Sequence, residues 1–254
     1  MEQQPSHYLI CTTARSGSNL LCDYLSNTEL LGKPGELFNP RVVKGGHFQK
    51  RFEFDGAVPL AEYIDWIETE LSSPNGVWGA KLLWEDFSFL QGFPAFRAMF
   101  SEARIYLLAR RSKVRQAVSY FLAQQTGQWM ATDPASKPIE EVEFDFSTIR
   151  AHLDRLILQE GRWQSILEVS AIPYRDIVFE QLAADPHGMV HSIAADMGVW
   201  AAGDGAEPLR VSTEMVPQAN ARTREFVEEF CRLTDFRNQR PSGGIEYEGL
   251  RFVD

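Results

Sequence analysis

Tyr8-Leu9-Ile10-Cys11-Thr12-Thr13-Ala14-Arg15-Ser16-Gly17-Ser18-Asn19-Leu20-Leu21 is a short apolar run, then small and polar residues, then apolar positions that continue at helical spacing through Tyr24 and Leu25. The pattern reads as strand, tight loop, helix. A loop of small residues lets several backbone N–H groups converge on one anion. The partial positive charge at the start of the following helix adds to that attraction. Arg15 supplies a fixed cation, and Ser16 and Ser18 supply hydroxyl donors. The loop lacks the GxxxxGK[ST] spacing of a Walker loop, because its cation precedes the glycine. A Ser/Gly turn that merely starts a helix would read the same way.

A second strand–helix junction repeats the theme. Arg104-Ile105-Tyr106-Leu107-Leu108-Ala109 has the look of a strand, and Ser112 is a good N-cap for a helix burying Val114, Ala117, Val118, Phe121 and Leu122. Arg110, Arg111, Lys113 and Arg115 crowd the junction. Ser112, Arg115 and Ser119 fall on one stripe opposite the apolar face. A solvated basic helix face is the competing reading.

Between and beyond these junctions, further elements alternate. Leu60, Ile64, Ile67 and Leu71 mark an amphipathic helix. Pro74-Asn75-Gly76 breaks the chain before Val77–Trp84, which reads as a buried strand. Residues 126–145, rich in Pro, Asp and Glu, read as irregular. A long helix follows over 149–167, Ile172-Pro173-Tyr174 begins a late strand or edge, and helices are expected over 177–198 and 222–235. Alternating strands and helices predict a three-layer α/β/α fold around a mainly parallel sheet. With no composition shift along the chain, one domain spanning 1–254 is expected.

Composition sets the outer limits. The 254 residues are 44% hydrophobic and 24% charged, enough for one large core. A net charge of −10 argues against nucleic acid and against an anionic membrane surface as partners. No apolar run is long enough to cross a bilayer, and Met1–His7 does not resemble a signal peptide. Cys11, Cys22 and Cys231 form no CxxC pair. A reduced, cytoplasmic protein is expected. His187 and His191 lie four apart without a third ligand in view, so they read as surface residues and no metal site is expected.

The two junctions together resemble the sulfotransferases that use 3′-phosphoadenosine-5′-phosphosulfate (PAPS). The first resembles their 5′-phosphosulfate loop. The second, a strand-end Arg111 followed eight residues later by Ser119, resembles their 3′-phosphate site. Asn75–Trp84, Gln125–Trp129 and Gly35-Glu36-Leu37-Phe38 are similar to the bacterial carbohydrate sulfotransferases of the trehalose 2-sulfotransferase type. Phe179–Pro186 is a weaker likeness to a segment common in the superfamily.

The resemblance implies a P-loop-like sulfotransferase fold, a sugar or glycolipid acceptor, no metal and a homodimer. It places the 5′-phosphosulfate on Arg15, Ser16, Gly17, Ser18 and Asn19, and the 3′-phosphate on Arg111 and Ser119. Lys81 would hold a sulfonate or bridging oxygen. Many relatives pair such a lysine with a histidine two residues on, but here that position is Leu83. Glu36 matches the glutamate that serves as general base in the trehalose type. Apolar neighbours predict a raised Glu36 pKa. Glu85, Asp86 and His47 are the alternative bases. Gln125, Thr126, Gln128 and Trp129 have the chemistry of a sugar platform, residues 39–60 and 126–145 are expected to frame the acceptor, and Arg222 is a further candidate donor contact. A P-loop-type nucleotide kinase or NTPase, or a non-catalytic nucleotide-binding module of the same fold, stands as the alternative.

Overall fold

The structure, a computed structural model, describes residues 6–40, 43, 59–201, 209–215 and 220–235, and the backbone of 245–247 and 250–252. Among them β1 (His7–Thr12), β2 (Trp78–Leu83), β3 (Arg104–Ala109) and β4 (Tyr174–Val178) form a parallel sheet in the order β2-β1-β3-β4. A second, antiparallel pair joins β5 (Ile245–Tyr247) to β6 (Leu250–Phe252).

The central strands are apolar throughout because both faces of the sheet are covered. Leu9, Cys11, Trp78, Ala80, Leu82, Ile105 and Leu107 face one layer. That layer contains α2 (Leu60–Glu70), α3 (Trp84–Leu90), α4 (Pro94–Glu102) and the C-terminal half of α6 (Phe146–Val169). Tyr8, Ile10, Tyr106, Leu108 and Ile177 face the other. There α1 (Ser18–Ser26), α7 (Phe179–Ala184) and α8 (Pro186–Asp196) pack. Each fully buried large side chain contributes roughly 1.5–3 kcal/mol relative to exposure. Alternation along β2 puts Gly79 and Lys81 on the α1 side, and a side chain at Gly79 would collide with the Tyr8 ring.

A third cluster binds α5 (Lys113–Thr126) to α6 and to α9 (Ala221–Thr234). Helix α6 thus belongs to two cores. Ile149 and Leu156 serve this cluster, whereas Trp163 and Leu167 lie under the sheet. The Trp163 indole also donates to the Thr12 carbonyl at 2.9 Å, fixing the end of β1.

The expected three-layer architecture is present, with local corrections. Ile177 and Val178 close a strand rather than open a helix, and the helical stretch after them breaks at Asp185-Pro186. Pro186 lacks the N–H that a continuous helix needs, and Asp185 caps the second piece by accepting from Gly188 N–H at 2.8 Å. Helix α4 has no counterpart in the sequence reading. Of the stretch 126–145, Thr126 still belongs to α5, and the rest is irregular apart from a 3₁₀ turn at Ile139–Glu141.

Candidate active site

The chain leaves β1 towards β2 on one side and later crosses to β3 on the other, so a topological switch point lies at the carboxyl ends of β1 and β3. Open α/β sheets bind ligands at such crevices. Both sequence-predicted junctions meet there. The Thr12 hydroxyl sits 2.8 Å from the Leu108 carbonyl and 2.7 Å from Ser16 Oγ. A hydroxyl has one proton and a carbonyl has none, so Thr12 donates to Leu108 and Ser16 donates to Thr12. Ser16 is fully buried, and its hydroxyl holds the loop closed.

Arg15 occupies the left-handed region at φ 63°, which costs a non-glycine residue roughly 1–2 kcal/mol. Gly17 follows at φ 93°, where a Cβ would lie 2.1 Å from a Phe179 ring carbon. Gly17 is the N-cap of α1; among the described residues no side chain caps that terminus, and no acidic residue stands in its first turn. Its first N–H groups are therefore available to an anion.

Lys81 reaches this loop from inside β2. It occupies an interior strand position and is only 4% exposed. Its ammonium lies 2.7 Å from Glu36 Oε1 and donates to Asn19 Oδ1. Asn39 donates to the other Glu36 oxygen at 2.8 Å. Burial acts to raise the Glu36 pKa, but the Lys81 charge and the bonds from Lys81 and Asn39 outweigh it. The carboxyl is lowered from its ordinary value, opposite to the rise that its apolar sequence neighbours predict. Asp86, in the first turn of α3, behaves differently. Burial, then the like charges of Glu36 and Glu85, push it up to about 7. Glu85 is engaged elsewhere, accepting from Arg155 and, at 2.7 Å, from Gln159. His47 lies outside the described residues.

The second junction supplies side chains to the first. Arg15 Nε donates to Ser119 Oγ at 3.0 Å, and its guanidinium also reaches the Trp129 carbonyl. Burial and the neighbouring Arg110 lower the Arg15 pKa, with Asp133 opposing them. A cavity of about 170 Å³ opens beside Arg15 and Ser119, walled by Leu122, Ala123, Thr126 and Gln128 among others. Arg110 donates to the Arg15 carbonyl at 3.3 Å and lies 4.8 Å from the centre of the Phe179 ring. Gln116 is wholly buried, with its amide nitrogen on Thr13 Oγ1 (2.8 Å) and the Ala14 carbonyl (2.7 Å). Its Oε1 has no protein partner among the described residues, a cost of about 1–3 kcal/mol if left so.

Arg111 is exposed, and its backbone N–H is held by Glu180 at 3.0 Å. Glu180 also accepts from Ser112 N–H at 3.3 Å. The α5 N-terminus is thus closed by a carboxylate from α7, and the Ser112 side chain makes no capping bond.

The Stf0 sulphotransferase family matches residues 7–232. The chain belongs to that family. Trehalose 2-sulfotransferase of Mycobacterium tuberculosis (strain Erdman) is 27% identical over 258 residues, covering 88% of this chain and 93% of the relative. Trehalose 2-sulfotransferase of Mycolicibacterium smegmatis is 26% identical over 267 residues, covering 91% and 97%. Among solved structures, a sulfotransferase from Alicyclobacillus acidocaldarius overlaps 91% of this chain and 92% of its own, at 18% identity and TM-score 0.48.

Within this Stf0 sulphotransferase, the candidates divide by place. Arg15, Ser16, Gly17, Ser18, Asn19, Lys81, Glu36 and Ser119 converge on the switch point through the contacts above. Arg111 comes to the rim. Arg110, Gln116, Glu180 and Asn39 are the site neighbours that sequence reading left without a role. Thr126 and Gln128 are spent inside their own turn: Thr126 Oγ1 lies 2.8 Å from the Leu122 carbonyl, and Gln128 donates to the Ala131 and Asp133 carbonyls. Gln125 and Trp129 are exposed beside them. Arg222 is committed to Glu225 and the Val142 carbonyl. A larger cleft of about 1120 Å³ lies near Thr28, Lys33, Asn75 and Trp200, and none of these candidates lines it. Among the described residues, no group of three or more His, Cys, Asp or Glu is arranged for a metal, and no helix is long and apolar enough to cross a membrane.

Proposed function

We propose that this Stf0 family member transfers a sulfuryl group from PAPS to a hydroxyl of a carbohydrate, with trehalose or a related glycolipid as acceptor. The observation that carries the reading is the pairing, at one switch point, of an uncapped helix N-terminus with two cations, Arg15 and Lys81, and an ionised carboxylate, Glu36. That donor set suits a doubly anionic group and leaves a base beside it.

When bound, the donor presents an activated sulfuryl group on a nucleotide 5′-phosphate. The loop N–H groups of Arg15 to Asn19 and the Arg15 guanidinium would stabilise charge on the leaving phosphate, each such contact being worth roughly 3–4 kcal/mol of barrier. Ser119 and Arg111 would select the 3′-phosphate, Arg111 by a bidentate contact. Lys81 holds Glu36 at a low pKa in the resting protein. Once Lys81 turns to a sulfonate or bridging oxygen, the interactions that lower Glu36 weaken and burial raises its basicity. Glu36 then accepts the proton of the attacking sugar hydroxyl as it becomes acidic. Asp86 is a second candidate base, favoured by its near-neutral pKa.

The test is mass-spectrometric detection of sulfated sugar from PAPS and trehalose. Glu36→Gln should lower kcat about 10²- to 10⁴-fold while Asp86→Asn stays within a few-fold. Equal losses, or a larger loss for Asp86→Asn, would move the base to Asp86. A wild-type protein that sulfates no sugar but hydrolyses Mg²⁺-ATP would replace the proposal with the NTPase reading.

A further inference from the structure

Arg15 is left-handed and Ala14 is not. In the Thr13–Ser16 turn this places the positive φ at the third residue, the signature of a type II turn, whose central peptide is flipped relative to type I. Type II turns favour glycine at that place, and this chain has arginine. Something must therefore hold the Ala14–Arg15 peptide against its own preference.

Two side chains are positioned to do so, and both come from the second junction. The Gln116 amide donates to the Ala14 carbonyl and to Thr13 Oγ1. The amide orientation is unambiguous, because the Ala14 carbonyl accepts only, and a turned amide would set oxygen against oxygen. Arg110 donates to the next carbonyl, that of Arg15. In a trans peptide the C=O and N–H point in opposite directions, so pinning the Ala14 carbonyl turns the Arg15 N–H away from α5. The burial of Gln116 with Oε1 unpartnered among the described residues is hard to explain by packing, since an apolar residue would fill the same space without loss.

We infer that Gln116, assisted by Arg110, is a positioning residue of the anion site: it holds the Ala14–Arg15 peptide flipped, and so aims the Arg15 N–H and guanidinium before any ligand arrives. The inference rests on reading the 13–19 loop as the anion site, and Gln116 itself touches no substrate. Without its donor the peptide relaxes to type I, Arg15 returns to negative φ, and its guanidinium leaves Ser119.

The experiment pairs calorimetry with a crystal structure of Gln116→Leu, using adenosine 3′,5′-bisphosphate and AMP as probes. The expected result is a roughly tenfold to hundredfold weaker Kd for the bisphosphate at unchanged stoichiometry. The preference over AMP should be kept, because both probes carry the 5′-phosphate, and the crystal should show Arg15 at negative φ. A purely structural role would lower the melting temperature and the binding stoichiometry but leave the Kd of the folded fraction alone, overturning the inference. So would an Arg15 still near φ 63° in the variant. Should Gln116→Leu fail to fold, Arg110→Lys keeps the test: it retains the charge, shortens the reach to the Arg15 carbonyl and lies outside the buried core. Its Kd should weaken at least about threefold with Arg15 displaced, and an unmoved Arg15 contradicts the inference. If the wild type binds neither nucleotide, the PAPS proposal fails, whereas the crystal structures still decide whether Gln116 and Arg110 set the turn.

Discussion

The β1–α1 junction leaves its helix N-terminus open, whereas the β3–α5 junction, built on the same strand-loop-helix plan, closes its own with Glu180. The open junction carries the strained backbone, with Arg15 and Gly17 both left-handed. The closed one contributes side chains that point back at its neighbour, Arg110, Gln116 and Ser119. Similar local sequence therefore yields different roles. An uncapped terminus with cations nearby attracts an anion, and a terminus already occupied by a carboxylate is a platform from which side chains brace it.

The largest expected effect follows from removing the cation that serves the open junction. Lys81→Met should reduce kcat about 10²- to 10³-fold in a sulfuryl-transfer assay. It should also move the acid limb of the kcat/KM profile to higher pH. The lysine accounts for the main interactions lowering Glu36, and burial, which raises it, stays behind. An acid limb that stayed in place would mean Glu36 is not the titrating group.

Gly17→Ala attacks the open terminus itself. The left-handed backbone costs a side chain about 1–2 kcal/mol, and the overlap with Phe179 adds roughly 1–3 kcal/mol unless that ring moves. Urea unfolding should show the loss, together with weaker nucleotide binding. The equivalent comparison in the closed junction is smaller. Glu180→Ala should cost about 0.5–2 kcal/mol, the usual value of a helix cap, without altering the preference for a 3′-phosphate. Burial works to raise Glu180, but N–H donation from Arg111 and Ser112 and the charge of Arg110 lower it. Its contribution is therefore present above its unfolded pKa, near 4.5, and is lost as pH falls through the lower folded value. Wild type and variant should converge in stability in acid.

Much of this was legible in the sequence because the central strands are buried on both faces, which makes them continuous apolar runs. The edge strand β4 carries the charged pair Arg175-Asp176 between Tyr174 and Ile177, which leaves only Ile177-Val178 as an apolar run that merges with the helix after it. Helix α4 escaped notice because Phe93-Pro94 reads as a break, although Pro at a first helical position is compatible with a helix start. In the site, Arg15 and Gly17 are recognisable by residue type and spacing, and Lys81 through the family resemblance. The direction of the Glu36 shift is not, because its determining partner, Lys81, arrives from β2 far along the chain, and its own apolar neighbours, Leu37 and Phe38, argue for a rise. Gln116 was hidden for a similar reason. It is a polar residue at the edge of an apolar stripe, and its burial depends on how α5 lies over a loop far away in sequence.

The central claim is that the two junctions jointly recognise a nucleotide with a phosphate at each end of its ribose. Calorimetric titration of wild type and Ser119→Ala with adenosine 3′,5′-bisphosphate, AMP and Mg²⁺-ATP tests it most directly. The account predicts metal-independent binding of the bisphosphate, well above AMP, and a preference that shrinks about tenfold or more in Ser119→Ala. Equal affinity for bisphosphate and AMP, or a preference for Mg²⁺-ATP, would contradict it.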